Sequence, residues 1–232
     1  MNRANIAMLE RAAEALGELL SELVFVGGAT IELWITDPGA AEFRPTDDVD
    51  VIVEIANQRD YYRFEDRLRR AGFQNHVEDG VICRFRQPQT GLVLDVMPTE
   101  ASILGFENRW QKEAFPRSLP IELPSRARIQ AAPPAYLLAT KLEAFRSRGK
   151  GDLYGSRDFE DIISLIDGRG ELVVEVSQCP EDLRGYVSEQ LQELSGAEFF
   201  DSAAEGALKG GLETRERYET IVRPRIEALT LS

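Results

Sequence analysis

Three acids in four positions, Asp47, Asp48 and Asp50, end the stretch Arg44-Pro-Thr-Asp-Asp-Val-Asp50 and open a run, Asp48-Val-Asp-Val-Ile-Val-Glu54, that otherwise reads as a β-strand. Side chains alternate along a strand, so Asp48 and Asp50 project to one side, about 7 Å apart at Cα, and Val49, Val51 and Val53 to the other. Two carboxylates so placed can share one divalent cation or hold two. Carboxylate oxygens with open water positions are what Mg²⁺ takes when it also binds substrate phosphates. A third acid, Asp95, stands in mid-strand within Leu92-Val-Leu-Asp-Val-Met97. An unpaired carboxylate there would be costly to bury or would be protonated, so a metal or another cation is its natural partner. The plainer accounts are an exposed sheet face or a pairing arginine.

A second feature precedes the acids. Leu23-Val-Phe-Val26 reads as a short buried strand that runs into Gly27-Gly28, with a helical pattern over residues 29–34 directly after it. Glycines let the backbone approach a ligand, and the N–H groups that open a helix favour an anion such as a triphosphate. A tight turn with no ligand is the bland alternative.

The remaining elements must position these residues. Ile6, Leu9, Ala13, Leu16 and Leu20 recur at helical steps over residues 2–20, and residues 61–71 form a charged helix. Residues 81–86 and 92–97, separated by a turn at 88–91, read as an antiparallel hairpin. Residues 110–128 are irregular and proline-punctuated, with short strand-like pieces such as Leu119-Pro-Ile-Glu-Leu123, a connector to a helical part. Pro133-Pro134 suits a helix start, residues 135–148 are strongly helical, and Ser156 is placed to cap a helix over 157–166 that carries Asp158 and Asp161 on one side. Residues 171–176 suit a short strand or loop, and 181–194, 198–208 and 213–229 further helices. Two subdomains are expected, a catalytic one over 1–130 and a helical one over 131–232 that completes the cleft.

Composition limits what such a site could serve. The chain has 232 residues, 27 basic against 40 acidic, for a net charge of −13. That balance argues against a nucleic-acid binder that gains its affinity from counterion release, so a polyanionic substrate needs a local basic patch or a bridging metal. Arg126, Arg128, Arg146, Arg148, Lys150 and Arg157 form one candidate patch; solvated faces and surface ion pairs are the alternative. Cys83 and Cys179 make no disulfide framework, and no run of about 18 apolar residues reaches a membrane span, so a reduced, cytoplasmic setting and no membrane partner are expected. His76 is the only histidine and sits in a polar stretch, which makes Ser/His/Asp or Cys/His catalysis implausible.

Gly27-Gly28 after one strand, Thr46-x-Asp48-x-Asp50 on the next and Asp95 on a later one resemble the polymerase-beta-like nucleotidyltransferase superfamily. Lys141-Leu-x-Ala144, Arg148 and Arg157-Asp158-x-x-Asp161 resemble the fourth motif of its AbiEii/AbiGii-type toxins, the enzymatic halves of type IV toxin–antitoxin pairs that include the MenT group. The resemblance covers about residues 23 to 167. It implies an α+β fold with a mixed sheet flanked by helices and a helical C-terminal subdomain. It also implies metal-binding acids at Asp48, Asp50 and Asp95 and triphosphate contacts at Gly27, Gly28 and Thr46. Lys141 falls at the lysine that faces the nucleotide, Asp158 at an essential acid beside it, Asp161 at a further candidate, and Arg44 at a basic position near phosphate. The implied cofactor is Mg²⁺ or Mn²⁺, the substrate an NTP, the acceptor tRNA and the partner a cognate antitoxin. A small-molecule or protein acceptor and a non-catalytic nucleotide-binding module are the competing readings.

Overall fold

The computed structural model describes residues 4–76, 82–105, 108–149, 151–208 and 213–231. The chain separates into two compact units, residues 1–32 with 44–133, and residues 33–43 with 134–232. The sequence suggests a single cut after residue 130; here the second unit begins at Pro134 and also takes the excursion 33–43.

A seven-stranded mixed sheet forms the first unit. Its strands, in chain order, are β1 (Leu23–Val26), β2 (Val49–Val53), β3 (Gln74–Asn75), β4 (Arg84–Arg86), β5 (Val93–Pro98), β6 (Leu119–Glu122) and β7 (Arg128–Ala131). They lie in the order β3-β4-β5-β2-β1-β7-β6. β2 runs antiparallel to β1 and parallel to β5, and β4 closes an antiparallel hairpin onto β5. All four residues of β1 are buried, as expected of a strand with neighbours on both edges and packing on both faces.

Helix α1 (Ala4–Leu16) buries Asn5, Met8, Leu9, Ala12, Ala13 and Leu16. The apolar stripe is therefore phased differently from the sequence reading. Ile6 is half-buried, Asn5 takes an inward place, and the chain turns 3₁₀ at Gly17 (φ 53°), so that Leu19 rather than Leu20 is buried. A 3₁₀ turn (Gly28–Thr30) and the single-turn α2 (Ile31–Trp34) follow the Gly27-Gly28 pair. Helix α3 (Gln58–Arg70) starts a turn earlier than the sequence pattern suggests because the Asn57 side chain accepts from the Asp60 N–H at 3.0 Å. Its buried residues are Tyr61, Phe64, Glu65 and Leu68.

After the short helices α4 (Ala101–Leu104) and α5 (Arg109–Ala114), the strand-like piece expected at 119–123 is β6, and it forms a hairpin with β7, which the sequence reading left in the connector. β7 pairs in parallel with β1, and the Ala132 N–H continues the ladder to the Phe25 carbonyl at 2.9 Å. β1 lies far from β7 in the chain, so no local pattern announces that pairing.

The second unit is helical. α6 (Pro134–Arg148) begins with proline and buries every residue from Pro134 to Leu142. Such all-round burial removes the amphipathic stripe and marks a central helix. α7 (Arg157–Gly168) is capped by Ser156, whose hydroxyl accepts from the Phe159 N–H. Phe159 contacts both Phe145 and Phe200, the latter edge-on at 5.8 Å between ring centroids. The segment 171–176, expected as a short strand or loop, falls almost wholly in α8 (Leu172–Ser177). Leu172 and Val176 are buried one helical turn apart while Val174 is exposed, a tertiary override of β-branched propensity. α9 (Glu181–Ser195), α10 (Phe200–Ala207), α11 (Thr214–Arg217) and α12 (Arg223–Thr230) complete the unit. A π-turn (Tyr218–Val222) precedes α12, where Pro224 cannot donate to the ladder.

The excursion 33–43 docks on α7 within this unit. Thr36 and Asp37 donate from their backbones to the Gly168 carbonyl at 2.9 and 3.0 Å, and a Cβ at Gly168 would meet Ile35 at 2.2 Å. No helix among the described residues is long and apolar enough to cross a membrane.

Candidate active site

The site in the first unit is set by register. Val26, Asp50, Asp95 and Arg84 are successive partners across β1, β2, β5 and β4. Directly paired residues direct their side chains to the same face of a sheet, so Asp50, Asp95 and Arg84 share one face. Asp48, two residues before Asp50, joins that face. Gly27 follows Val26 with φ 74°, a conformation that costs glycine little. Space imposes a second demand there: a Cβ at residue 27 would lie 1.9 Å from Asp50 Oδ2. The glycine pair thus admits the Asp50 carboxylate against the backbone at the end of β1.

Arg84 binds two of the acids. Its Nε donates to Asp95 Oδ1 and one terminal nitrogen to Asp95 Oδ2, each at 2.8 Å, and that same nitrogen reaches Asp48 Oδ2 at 2.7 Å. Asp95 therefore has the arginine partner that was one of the open accounts of it in the sequence. Its side chain is 10% exposed and that of Arg84 19%, so these charge-assisted bonds are shielded from water. Among the described residues, no group of three Asp, Glu, His or Cys side chains stands ready to hold a metal ion. Cys83, next to Arg84, is a free and buried thiol. Burial, reinforced by the charges of Asp95 and Asp50, pushes it up to about 12, so it keeps its proton.

Arg44 and Thr46 lie on the loop that enters β2, and Asn5 of α1 holds that loop. The Asn5 amide donates to the Arg44 carbonyl at 3.0 Å, and its Oδ1 accepts from the Thr46 N–H at 2.9 Å. The Thr46 hydroxyl is within reach of Asn5 Oδ1 at 3.3 Å and of the Asp48 carbonyl at 3.2 Å. Gly28 opens only one 3₁₀ turn and a four-residue helix, so the macrodipole it can offer an anion is small.

Lys141, Asp158 and Asp161 converge in the second unit. Lys141 Nζ lies 3.2 Å from Asp158 Oδ1 and 2.5 Å from Asp161 Oδ2, with at most 9% of any of the three side chains exposed. Arg148, two turns after Lys141 on α6, donates from Nε to Asp158 Oδ2 at 2.7 Å and from a terminal nitrogen to Asp158 Oδ1 at 2.9 Å. Burial by itself pushes the Asp158 carboxyl up. The Arg148 hydrogen bonds and the Lys141 charge outweigh it and hold the group below the usual carboxylate range.

Most of the basic candidates pair with acids. Arg126 and Arg128 meet Glu122 at 2.9 and 3.5 Å, Arg146 meets Glu143 at 3.1 Å, and Arg148 is engaged by Asp158. Lys150 lies outside the described residues.

Sequence reasoning missed Arg84 and Asn5. The signal for Arg84 was present: a hairpin turning at 88–91 pairs Gln87 with Leu92, as the 2.8 Å bond between them shows, and counting back puts Arg84 opposite Asp95. Asn5 gave no signal beyond being a polar residue one helical turn from Leu9.

The sequence model of one family, described as nucleotidyl transferase AbiEii toxin, type IV toxin–antitoxin system, matches residues 9–224. A match of that extent makes the chain a nucleotidyltransferase. Within that class it belongs to the AbiEii toxin family. Among curated proteins no sequence matches. A crystal structure of an antigenic nucleotidyltransferase-like protein from Paracoccidioides brasiliensis is similar at 19% identity, with a TM-score of 0.47 over 90% of this chain and 95% of that one.

Proposed function

We propose that this enzyme moves a nucleoside monophosphate from an NTP to the 3′ end of tRNA in a reaction that depends on Mg²⁺ or Mn²⁺, as the cytoplasmic toxin of a pair with a cognate antitoxin. One observation carries the chemistry: Asp50 and Asp95 are register partners at the middle of the sheet, on the face that Asp48 shares and beside the Gly27 turn. The donor set is all carboxylate oxygen, the chemistry a hard divalent cation requires, and two of the three acids already hold a positive charge between them.

In this reading Asp48, Asp50 and Asp95 would hold the cation, which would supply neutralising charge for in-line transfer at the α-phosphorus. The Gly27 and Gly28 amides, Thr46 and Arg44 bind and orient the triphosphate so that pyrophosphate leaves opposite the attacking hydroxyl. Asn5 keeps the 44–46 loop in place for that work. The roles of Lys141 as the nucleotide-facing lysine, Asp158 as the acid beside it and Asp161 as its second partner rest on the family motif. Their mutual ion pairs support a fixed ammonium position.

The test is incubation with each α-labelled NTP, Mg²⁺ and total tRNA. Label on RNA that Asp48→Asn abolishes, with the circular dichroism spectrum unchanged, is the expected result. Retained transfer by Asp48→Asn would remove that acid from the scheme. A small-molecule or protein acceptor is the second reading, favoured by the net charge of −13 and by the acid partners of Arg126, Arg128, Arg146 and Arg148. Label on those molecules would select it, and label on nothing would favour a module that binds without catalysis.

A further inference from the structure

We propose that Arg84 is a built-in rival of the divalent cation, an internal counter-charge that neutralises Asp48 and Asp95 until the metal takes its place. The inference rests on the metal-dependent reading and concerns a residue outside the family motifs. Three charge-assisted bonds of 2.7 to 2.8 Å tie the guanidinium to both acids. They take one lone-pair site on each of Asp95 Oδ1, Asp95 Oδ2 and Asp48 Oδ2, oxygens that a cation held by these acids would also draw on. A guanidinium and a divalent ion in one small space also repel each other. A guanidinium keeps its proton in proteins, so Arg84 yields only by rotating away from at least one acid. Its place on β4 fixes where it starts, opposite Asp95 in the ladder, and its long side chain has the rotatable bonds by which the fork can turn once its hydrogen bonds break.

Two consequences follow. Metal binding is weaker than three carboxylates alone would give, because the arginine pairs must break first. The metal-free site is also spared the repulsion of crowded carboxylates, which keeps the sheet intact without ligand.

Titration with Mn²⁺ alone, without nucleotide, tests this on the full chain by calorimetry or by the electron paramagnetic resonance of free Mn²⁺. Arg84→Gln should bind roughly tenfold tighter or better than wild type, with Arg84→Lys between them. The metal-free Arg84→Gln protein should melt lower than wild type and be restored by Mn²⁺. In wild type, Mg²⁺ should shift the ¹⁵N–¹H resonance of Arg84 Nε as its bond to Asp95 breaks, a readout that needs no variant at this position to fold.

Equal or weaker Mn²⁺ affinity in Arg84→Gln, with Asp50→Asn still abolishing binding, overturns the rivalry and leaves the metal site standing. An Arg84 resonance unmoved at metal saturation does the same. Absence of Mn²⁺ binding by wild type and Arg84→Gln alike, up to millimolar concentration, overturns the metal reading and this inference with it.

Discussion

Gly27 and Asp50 occupy space that only one of them can claim, because a methyl group at residue 27 would overlap the Asp50 carboxylate. Gly27→Ala must therefore both strain a backbone at φ 74° and push Asp50 off its line with Asp95. We expect that variant to lose about 1–3 kcal/mol of stability from strain, measured by urea unfolding, and to lose nucleotide transfer entirely. A mere turn glycine would give the first effect without the second. Asp158 carries a pH dependence. Its folded pKa is lowered, so the stability its pairing contributes is fully present above the unfolded value, about 3.9, and is lost as pH falls through the lower folded value. Arg148→Ala removes the strongest lowering influence. Urea unfolding should show that variant less stable than wild type at pH 7, with the gap closing only below about pH 4. A gap that persists unchanged at lower pH would assign the loss to the packing of the arginine stem.

α1 is usually the kind of element read as scaffold, and most of its buried face is that. Asn5 makes it more: one side chain bonds the Arg44 carbonyl and the Thr46 N–H, fixing the entry to β2 before the acids begin. Asn5→Ala would leave both half-buried groups without that partner, at about 1 kcal/mol. If the loop serves the triphosphate, the same variant should raise KM for NTP more than it lowers kcat. Effects confined to melting temperature would make Asn5 purely structural. The β4–β5 hairpin is the second element with a role beyond scaffold. The turn at 88–91 decides which residue faces Asp95, and a one-residue slip would send Arg84 to the opposite face of the sheet.

Across the whole molecule, the C-terminal helices that carry no recognisable motif hold the excursion 33–43. Arg217 Nε bonds Asp167 Oδ1 at 2.5 Å and a terminal nitrogen meets Asp37 Oδ2 at 3.1 Å, while Arg225 donates to the Ile166 and Asp167 carbonyls. The Asp167 side chain is 2% exposed, and burial raises its pKa even against the Arg217 hydrogen bond. Arg217→Ala would leave that carboxylate without its charge partner and with only the Ala41 N–H at 3.2 Å among these bonds, and a loss of about 3–5 kcal/mol in urea unfolding is expected, with faster hydrogen exchange over 33–43. A variant as stable as wild type would show that Asp37 and Asp167 are held by other means. The sequence alone determined the strands that bear Asp50 and Asp95, with Asp48 at the entry to the first, the glycine turn, and the helices with Lys141 and Asp158, because alternation, helical spacing and capping are local and survive without a fold. It left open what Asp95 pairs with, which helix steadies Thr46, that β7 enters the sheet, that residues 172–177 are helical, and to which unit 33–43 belongs. Each of those depends on chain segments distant in sequence meeting in space, and register, burial and ion pairing come into being only with that meeting.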